Sequence, residues 1–348
     1  VIAGQSQAGQ VSASGFARVT AASHKTHLAD PIANAQAAIG FLETCPDSDV
    51  VVFGELAITG YSCGDLFAQD ALLESAIEGL CQIAKAIKGD QLVVVGVPVR
   101  VGGKLFNAAA VLQRGRVVGL VPKQFLPNNQ EFYEARWFSA ADGSEPLVCN
   151  LEPSQPVSGS PGVDLSDIPF GVDLLFHRGD LVVGIELCED LWVPTPPSSQ
   201  LALGGANLIL NLSASNELIG KAEWRQTLVR SQSGRCLAAY AYACAGPTES
   251  TTDIVFSGHC LVVENGAVLA ESQRVGGSSG PNWFEVSSAT ADIDLQRLAH
   301  DRQVSPSWQH AASRSRASHR LLQCDGSLVA DGSRRTITGR PFVPSAEG

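Results

Sequence analysis

Apolar residues fall along this chain in two rhythms. Asp49-Val50-Val51-Val52-Phe53 is a short β-branched run that stops at Gly54-Glu55, which predicts a buried strand. From Ala71 to Ile87 the apolar positions Leu72, Leu73, Ile77, Leu80, Ile83 and Ile87 recur at helical spacing, which predicts an amphipathic helix. Gln91 to Val97 and Leu181 to Leu187 read as buried strands, and Asn107 to Val121 reads as a hairpin turning at Arg114-Gly115. Ala202 to Gly205 closes a helix, Ala206 to Leu212 is a strand, and Trp224 to Ala243 reads as a helix. Cys260 to Leu269 is a second hairpin with Asn265-Gly266 at its turn, a pair suited to the positive φ of a tight two-residue loop. Hairpins mixed with helices predict an α/β protein with antiparallel or mixed sheets. Ser144 to Gly171, rich in Pro, Ser and Gly, reads as a surface excursion. The polar stretch from Ser313 onward, ending in Pro341-Phe342-Val343-Pro344-Ser345, reads as an extended exit strand or linker.

Length and composition narrow the class. With 348 residues, the chain can bury one large core or two ordinary ones. Hydrophobic residues at 45% and charged residues at 17% fit a soluble globule. No run approaches the roughly 18 apolar residues of a membrane span, and Val1 to Phe16 lacks the basic and apolar blocks of a secretion signal. The net charge of −11 argues against a nucleic-acid partner, because phosphate recognition needs a clustered basic footprint. The densest basic group, Arg314, Arg316, His319 and Arg320, reads as a solvated face. Methionine is absent, so all the sulfur belongs to nine cysteines. None forms a Cys-x-x-Cys pair or has metal-ligand spacing with histidine, so no metal is expected. Their odd number and scatter fit a reducing, cytoplasmic setting.

Three polar residues share a setting. Glu55, Lys123 and Cys188 each stand at or just past the end of an apolar strand-like run, held rigidly yet open to a cleft. Singly, each has an ordinary explanation: a loop glutamate, a surface lysine, one cysteine of nine. The flanking residues change this. Glu55-Leu56-Ala57-Ile58-Thr59-Gly60-Tyr61, Pro122-Lys123-Gln124-Phe125-Leu126-Pro127 and Glu186-Leu187-Cys188-Glu189-Asp190-Leu191-Trp192 resemble the glutamate, lysine and nucleophile segments of the nitrilase superfamily, in that superfamily's chain order. Gly60 to Phe67, Glu131 to Phe138, Asn211 to Ser215, Ser231 to Cys236 and Glu249 to Asp253 sharpen the resemblance to one branch, the glutaminase domains of glutamine-dependent NAD synthetases. The resemblance runs from about Gly15 to about Pro344.

That resemblance implies a four-layer α-β-β-α sandwich of the nitrilase type, a single large domain over 1–335, with 336–348 as a linker or tail toward an absent synthetase domain. It implies Cys188 as nucleophile, Glu55 as general base, and Lys123 with the Glu189 N–H as oxyanion donors. Glu134 is implied as a second carboxylate beside Lys123, although an ordinary helix-surface glutamate explains that residue equally well. By motif position Tyr61, Phe132, Trp192 and Ser215 line the substrate pocket. Asn129 stands where the family usually carries a tyrosine, so glutamine specificity rests on less than amide hydrolysis does. The implied partners are glutamine, an ammonia-consuming synthetase domain or subunit, and further copies of the chain in a homo-oligomer. ATP and Mg belong only to the synthetase part. The phosphate loop of that part is missing from this sequence, and Gly276-Gly277-Ser278-Ser279-Gly280 reads as a flexible loop. Two other readings stay open: an amidase for another small amide, and a catalytically idle assembly domain.

Overall fold

The computed structural model describes residues 15–151, 162–274, 286–328 and 335. The first half runs β1 (Phe16–Ser23), α1 (Pro31–Leu42), β2 (Val50–Phe53), α2 (Asp70–Ala86), β3 (Leu92–Val101), β4 (Lys104–Gln113) and β5 (Arg116–Pro122). A small pair, β6 (Val148–Cys149) and β7 (Ile168–Pro169), leads into β8 (Leu174–Arg178) and β9 (Leu181–Leu187). Then follow α3 (Pro197–Leu203), β10 (Leu208–Ser213), α4 (Lys221–Cys236), β11 (Ala239–Cys244), β12 (Cys260–Glu264) and β13 (Ala267–Glu271). The remainder is β14 (Ser287–Asp294), α5 (Leu295–Val304), α6 (Pro306–Arg314) and β15 (Arg320–Gln323).

Two mixed sheets result. Six strands lie in the order β14-β1-β2-β3-β4-β5, and seven in the order β13-β12-β11-β10-β9-β8-β15. The alternation of side chains along each strand sorts the core into layers. Val50 and Val52 of β2 meet Leu208, Leu210 and Leu212 of β10 between the sheets. Val51 and Phe53 face the other way, onto Ala35, Ala38, Ala76 and Leu80 of α1 and α2. On the second sheet Ile209, Tyr240 and Tyr242 pack outward with Leu201 of α3 and Val229 of α4. The order is therefore α-β-β-α, the sandwich expected from the resemblance.

Three segments depart from the sequence reading. The helix predicted from Trp224 to Ala243 ends at Cys236, where Leu237 turns left-handed at φ 43°. Ala239–Cys244 is a central strand with β10 parallel on one side and β12 antiparallel on the other. The Ala-Tyr-Ala-Tyr-Ala alternation puts small residues between the sheets and rings under α4, a period-two signal that alanine's helical preference obscures. The excursion from Ser144 to Gly171 is anchored at its flanks by β6 and β7 and by buried Leu151, Leu165, Ile168 and Phe170; 152–161 lies outside the described residues. The polar stretch after Ser313 contributes β15, which pairs in parallel with β8. Arg320 is correspondingly not a solvated cation. Its guanidinium binds Asp173 and the carbonyls of Phe170 and Leu147. Gly276 to Gly280 and the segment 336–348 lie outside the described residues.

Candidate active site

The ends of β2, β5 and β9 converge at one edge of the sheet sandwich. After β2 the chain turns at Gly54 and places Glu55 between the sheets, its N–H donating to Ser213 O at 3.2 Å. Leu56 takes a positive φ of 50° to make this turn. The neighbouring strand gives way for it: a Cβ on Gly96 would sit 2.1 Å from Leu56 N and 2.7 Å from Gly54 O. Position 96 thus requires glycine for close backbone approach.

Lys123 follows β5 and is fully buried. Its ammonium donates to Glu55 Oε1 at 2.6 Å and to Glu134 Oε1 at 2.6 Å. Glu134 begins a single 3-10 turn and is buried as well, so the helix-surface explanation for it is excluded. Tyr61 Oη donates to Glu134 Oε1 at 2.7 Å. Ala214 N–H donates to Glu55 Oε2 at 2.8 Å.

Cys188 directly follows β9, with φ 41°, and opens a 3-10 turn, Cys188–Leu191. A strand-to-turn kink of this kind is strained for a side chain with a Cβ and occurs where surrounding contacts enforce it. Two buried networks do so. Asn211 Oδ1 accepts Cys188 N–H at 3.2 Å and Ser213 Oγ–H at 2.8 Å, while Asn211 Nδ2 donates to Tyr240 Oη, which itself donates to Glu186. Asp190 Oδ2 accepts Leu187 N–H at 3.0 Å, and its Oδ1 accepts the N–H groups of Phe125 at 2.8 Å and Gln124 at 3.2 Å. One carboxylate therefore ties the residue before Cys188 to the residues after Lys123. Burial pushes that carboxyl up to about 8.

Electrostatics follow from burial and neighbours. Burial pushes the Cys188 thiol well above its ordinary range; Glu55 and Glu134 add to this, and the attraction of Lys123 does not offset them. The resting side chain is a thiol, which needs a base to react. Burial alone favours a neutral Lys123, but Glu134 and Glu55 hold its ammonium well above the usual value. Burial raises Glu134 to about 7 against the pull of Lys123.

A rim of aromatic and charged side chains flanks this cluster. Phe132 stands edge-on to Tyr61 at 6.3 Å between ring centroids. Lys221, the first residue of α4, holds its ammonium 5.7 Å from the Phe132 ring centre and 5.2 Å from that of Trp192. It also donates to Asn216, which donates to Glu131. Ser215 is buried behind the rim, with Oγ 3.4 Å from Arg225 Nη2. Glu189 is half-buried, and burial raises its carboxyl against the attraction of Lys123 and Lys221. Asn129 is not brought into the cluster: it is exposed, and its carbonyl accepts Phe132 N–H at 3.0 Å. Among the described residues no group of His, Cys, Asp and Glu could hold a metal ion, and no helix is long and apolar enough to cross a membrane.

The family model described as "Carbon-nitrogen hydrolase" matches residues 17–303, which contain every residue of this cluster. The chain belongs to the carbon-nitrogen hydrolase family. Among its members the chain is similar to the glutamine-dependent NAD(+) synthetase of Mycobacterium tuberculosis, 41% identical over 295 residues, 83% of this chain and 40% of that protein. The corresponding protein of Mycobacterium leprae is 38% identical over 346 residues, 95% of this chain and 47% of its own length. A crystal structure of a glutamine-dependent NAD(+) synthetase from Cytophaga hutchinsonii superposes with a TM-score of 0.67 at 29% identity, covering 80% of this chain and 43% of that one. The chain spans less than half the length of these curated relatives.

Sequence reasoning missed several residues that the fold of this hydrolase family member brings to the cluster. Asn107 sits in mid-strand between Phe106 and Ala108, a polar break in an apolar run that could have marked it. Asp190 lay inside a quoted motif without a role. Lys221 had no signal, since a lysine opening a helix is ordinary.

Glu134 also sets a pH dependence. Its folded-state value of about 7 exceeds the ordinary carboxylate value of 4.5. The folded state therefore holds a proton that the unfolded state releases, and stability falls as pH rises from about 4.5 to about 7. Glu134→Gln removes up to about 3 kcal/mol of that slope. Urea unfolding at pH 5 and pH 7.5 checks this; a slope equal to the parent's contradicts it.

Proposed function

We propose that the chain is a glutamine amidohydrolase whose reaction runs through a Cys188 thioester. The observation that carries this reading is the fully buried ammonium of Lys123, bound at 2.6 Å to each of two carboxylates, Glu55 and Glu134, beside the strained turn that carries Cys188.

An amide is a poor electrophile and ammonia a poor leaving group, so a covalent intermediate divides the barrier. The Cys188 sulfur attacks the side-chain amide carbon while its proton passes to Glu55. The carbonyl oxygen becomes an oxyanion. An ammonium has three N–H donors; Glu55 and Glu134 take two from Lys123, and the third is available to the oxyanion. Cys188 N–H is committed to Asn211, so the next amide, Glu189 N–H, supplies the second donor. Collapse of the intermediate breaks the C–N bond, and Glu55 returns its proton to the departing nitrogen, giving ammonia and the thioester. Glu55 then deprotonates a water that attacks the thioester carbon, and the proton goes to the Cys188 sulfur as glutamate leaves.

Lys221 supports glutamine as the substrate. Its ammonium lies over Phe132 and Trp192, where it can meet the α-carboxylate of an amino acid whose amide reaches Cys188. A hydrogen bond to a charged group contributes about 1.5–3 kcal/mol. Lys221→Ala is therefore expected to raise KM for glutamine roughly 10- to 100-fold and to leave propionamide hydrolysis near the parental rate. Steady-state kinetics with glutamine, asparagine and propionamide test this. Propionamide turned over better than glutamine by the parent would overturn the substrate reading and leave amide hydrolysis standing.

The partners extend from the same reading: a synthetase domain or subunit that consumes the ammonia, with ATP and Mg bound there, in a homo-oligomer. Ammonia protonates readily in water, which favours a consumer close to its source. All nine cysteines are unpaired thiols, and this supports a cytoplasmic setting.

A further inference from the structure

Among the described residues, Asn107 is the one neutral side chain whose amide N–H meets both carboxylates of the buried cluster. It lies on β4, where its main-chain carbonyl accepts Lys123 N–H at 2.9 Å, so strand register sets it beside the lysine. Its Nδ2 donates to Glu55 Oε1 at 2.7 Å and lies 3.5 Å from Glu134 Oε2. The amide is fully buried, and its Oδ1 has no hydrogen-bond partner among the described residues. Swapping oxygen and nitrogen would set Oδ1 against the Glu55 carboxylate, so the network itself fixes the orientation with the NH2 group toward Glu55.

The consequence lies in the lone pairs of Glu55. A carboxylate oxygen accepts about two hydrogen bonds. Oε1 receives Lys123 Nζ at 2.6 Å and Asn107 Nδ2 at 2.7 Å, and both of its acceptor sites are filled. Oε2 receives Ala214 N–H at 2.8 Å and keeps one site open. We propose that Asn107 is a positioning residue that, together with Lys123, saturates Glu55 Oε1 and thereby assigns proton transfer with Cys188 to Oε2. Neutrality suits this role. The titratable groups around Glu55 are Lys123, Glu134, Tyr61, Cys188, Glu189 and Glu249. A second cation there would pair with Glu134, and a third carboxylate would repel both. An amide aligns the base without altering the charge of the cluster.

This inference rests on Glu55 acting as the base, and the experiment separates the two. Asn107→Leu removes the donor at similar volume, Asn107→Ala removes it with less bulk, and Glu55→Gln removes the base. In the full chain, kcat for glutamine and the rate of Cys188 alkylation by iodoacetamide are measured with the melting temperature. Asn107→Leu and Asn107→Ala are expected to lower kcat about a hundredfold, the scale of a misaligned reacting group. KM should stay within about threefold of the parent, alkylation should slow in parallel with kcat, and the solvent deuterium isotope effect on kcat should rise as proton transfer becomes limiting. Parental kcat and alkylation in either variant that folds, with Glu55→Gln inactive, overturn the role of Asn107 alone. Parental kcat and alkylation in Glu55→Gln overturn the base assignment beneath it. A fall in kcat that comes with an equal rise in KM and a lowered melting temperature makes Asn107 a packing residue and overturns the inference as well.

Discussion

Replacement of Cys188 by alanine is expected to abolish the proposed release of glutamate from glutamine, with a fall in kcat of at least about 10⁴-fold, the scale of losing a covalent nucleophile. Cys188 sits at the junction of β9 and a 3-10 turn, with its amide committed to Asn211. The side chain is small and alanine fits the same space, so the variant is expected to fold and to bind glutamine. A glutamine-mimicking electrophile labels the parent at Cys188 and leaves the variant unlabelled by intact-mass measurement. Cys149→Ala, a substitution in the small β6–β7 pair, is the comparison and retains parental activity. Label found on another cysteine, or substantial turnover by Cys188→Ala, removes the nucleophile assignment.

Lys123→Met has the second large effect, and it acts on both stability and rate. Among the described residues, the lysine is the single cation bonded to Glu55 and Glu134 within the buried cluster. Its removal leaves two buried carboxylates without their cation, and breaking a buried ion pair from one side costs about 3–5 kcal/mol. The loss of an oxyanion donor lowers kcat by about 10²–10³-fold in addition. The stability defect depends on pH in a definite direction. Without the ammonium, Glu134 loses the attraction that opposes its burial, so its folded-state value rises further above its unfolded value. Stability is then fully present only at low pH and is lost as pH rises through that folded-state value. Urea unfolding should show a small defect at pH 5 and a large one at pH 8. Lys123→Met/Glu134→Gln should recover part of the stability at pH 8 and none of the activity. A defect that is equal at both pH values contradicts the buried-charge account.

Much of the architecture was legible from periodicity. The strands around Val50, Val93, Ile185 and Leu210 are uniformly apolar because they are covered on both faces, and both hairpins turn where Arg114-Gly115 and Asn265-Gly266 allow positive φ. The β11 strand was not legible because Leu237 makes the left-handed turn that glycine ordinarily marks, and its alanines read as continued helix. Glu55, Lys123 and Cys188 stood out as polar residues at the ends of apolar runs, and their flanking residues gave them chemistry. Asn107 acts through Glu55 and Glu134, 52 and 27 residues away in sequence, and Asp190 and Lys221 act across elements. Proximity of that kind arises from tertiary packing, within the six-stranded sheet for Asn107 and between the two sheets for Asp190. Asn129 shows the converse: a motif position carries a residue type, but the local turn exposes it.

The close N–H to O contact between Glu55 and Ser213 joins an element of the six-stranded sheet to one of the seven-stranded sheet. Glu55 and Lys123 hang from the first sheet and Cys188 from the second. The constellation therefore exists only while the two sheets stay packed, and a chain whose sheets have come apart keeps the parts without the arrangement.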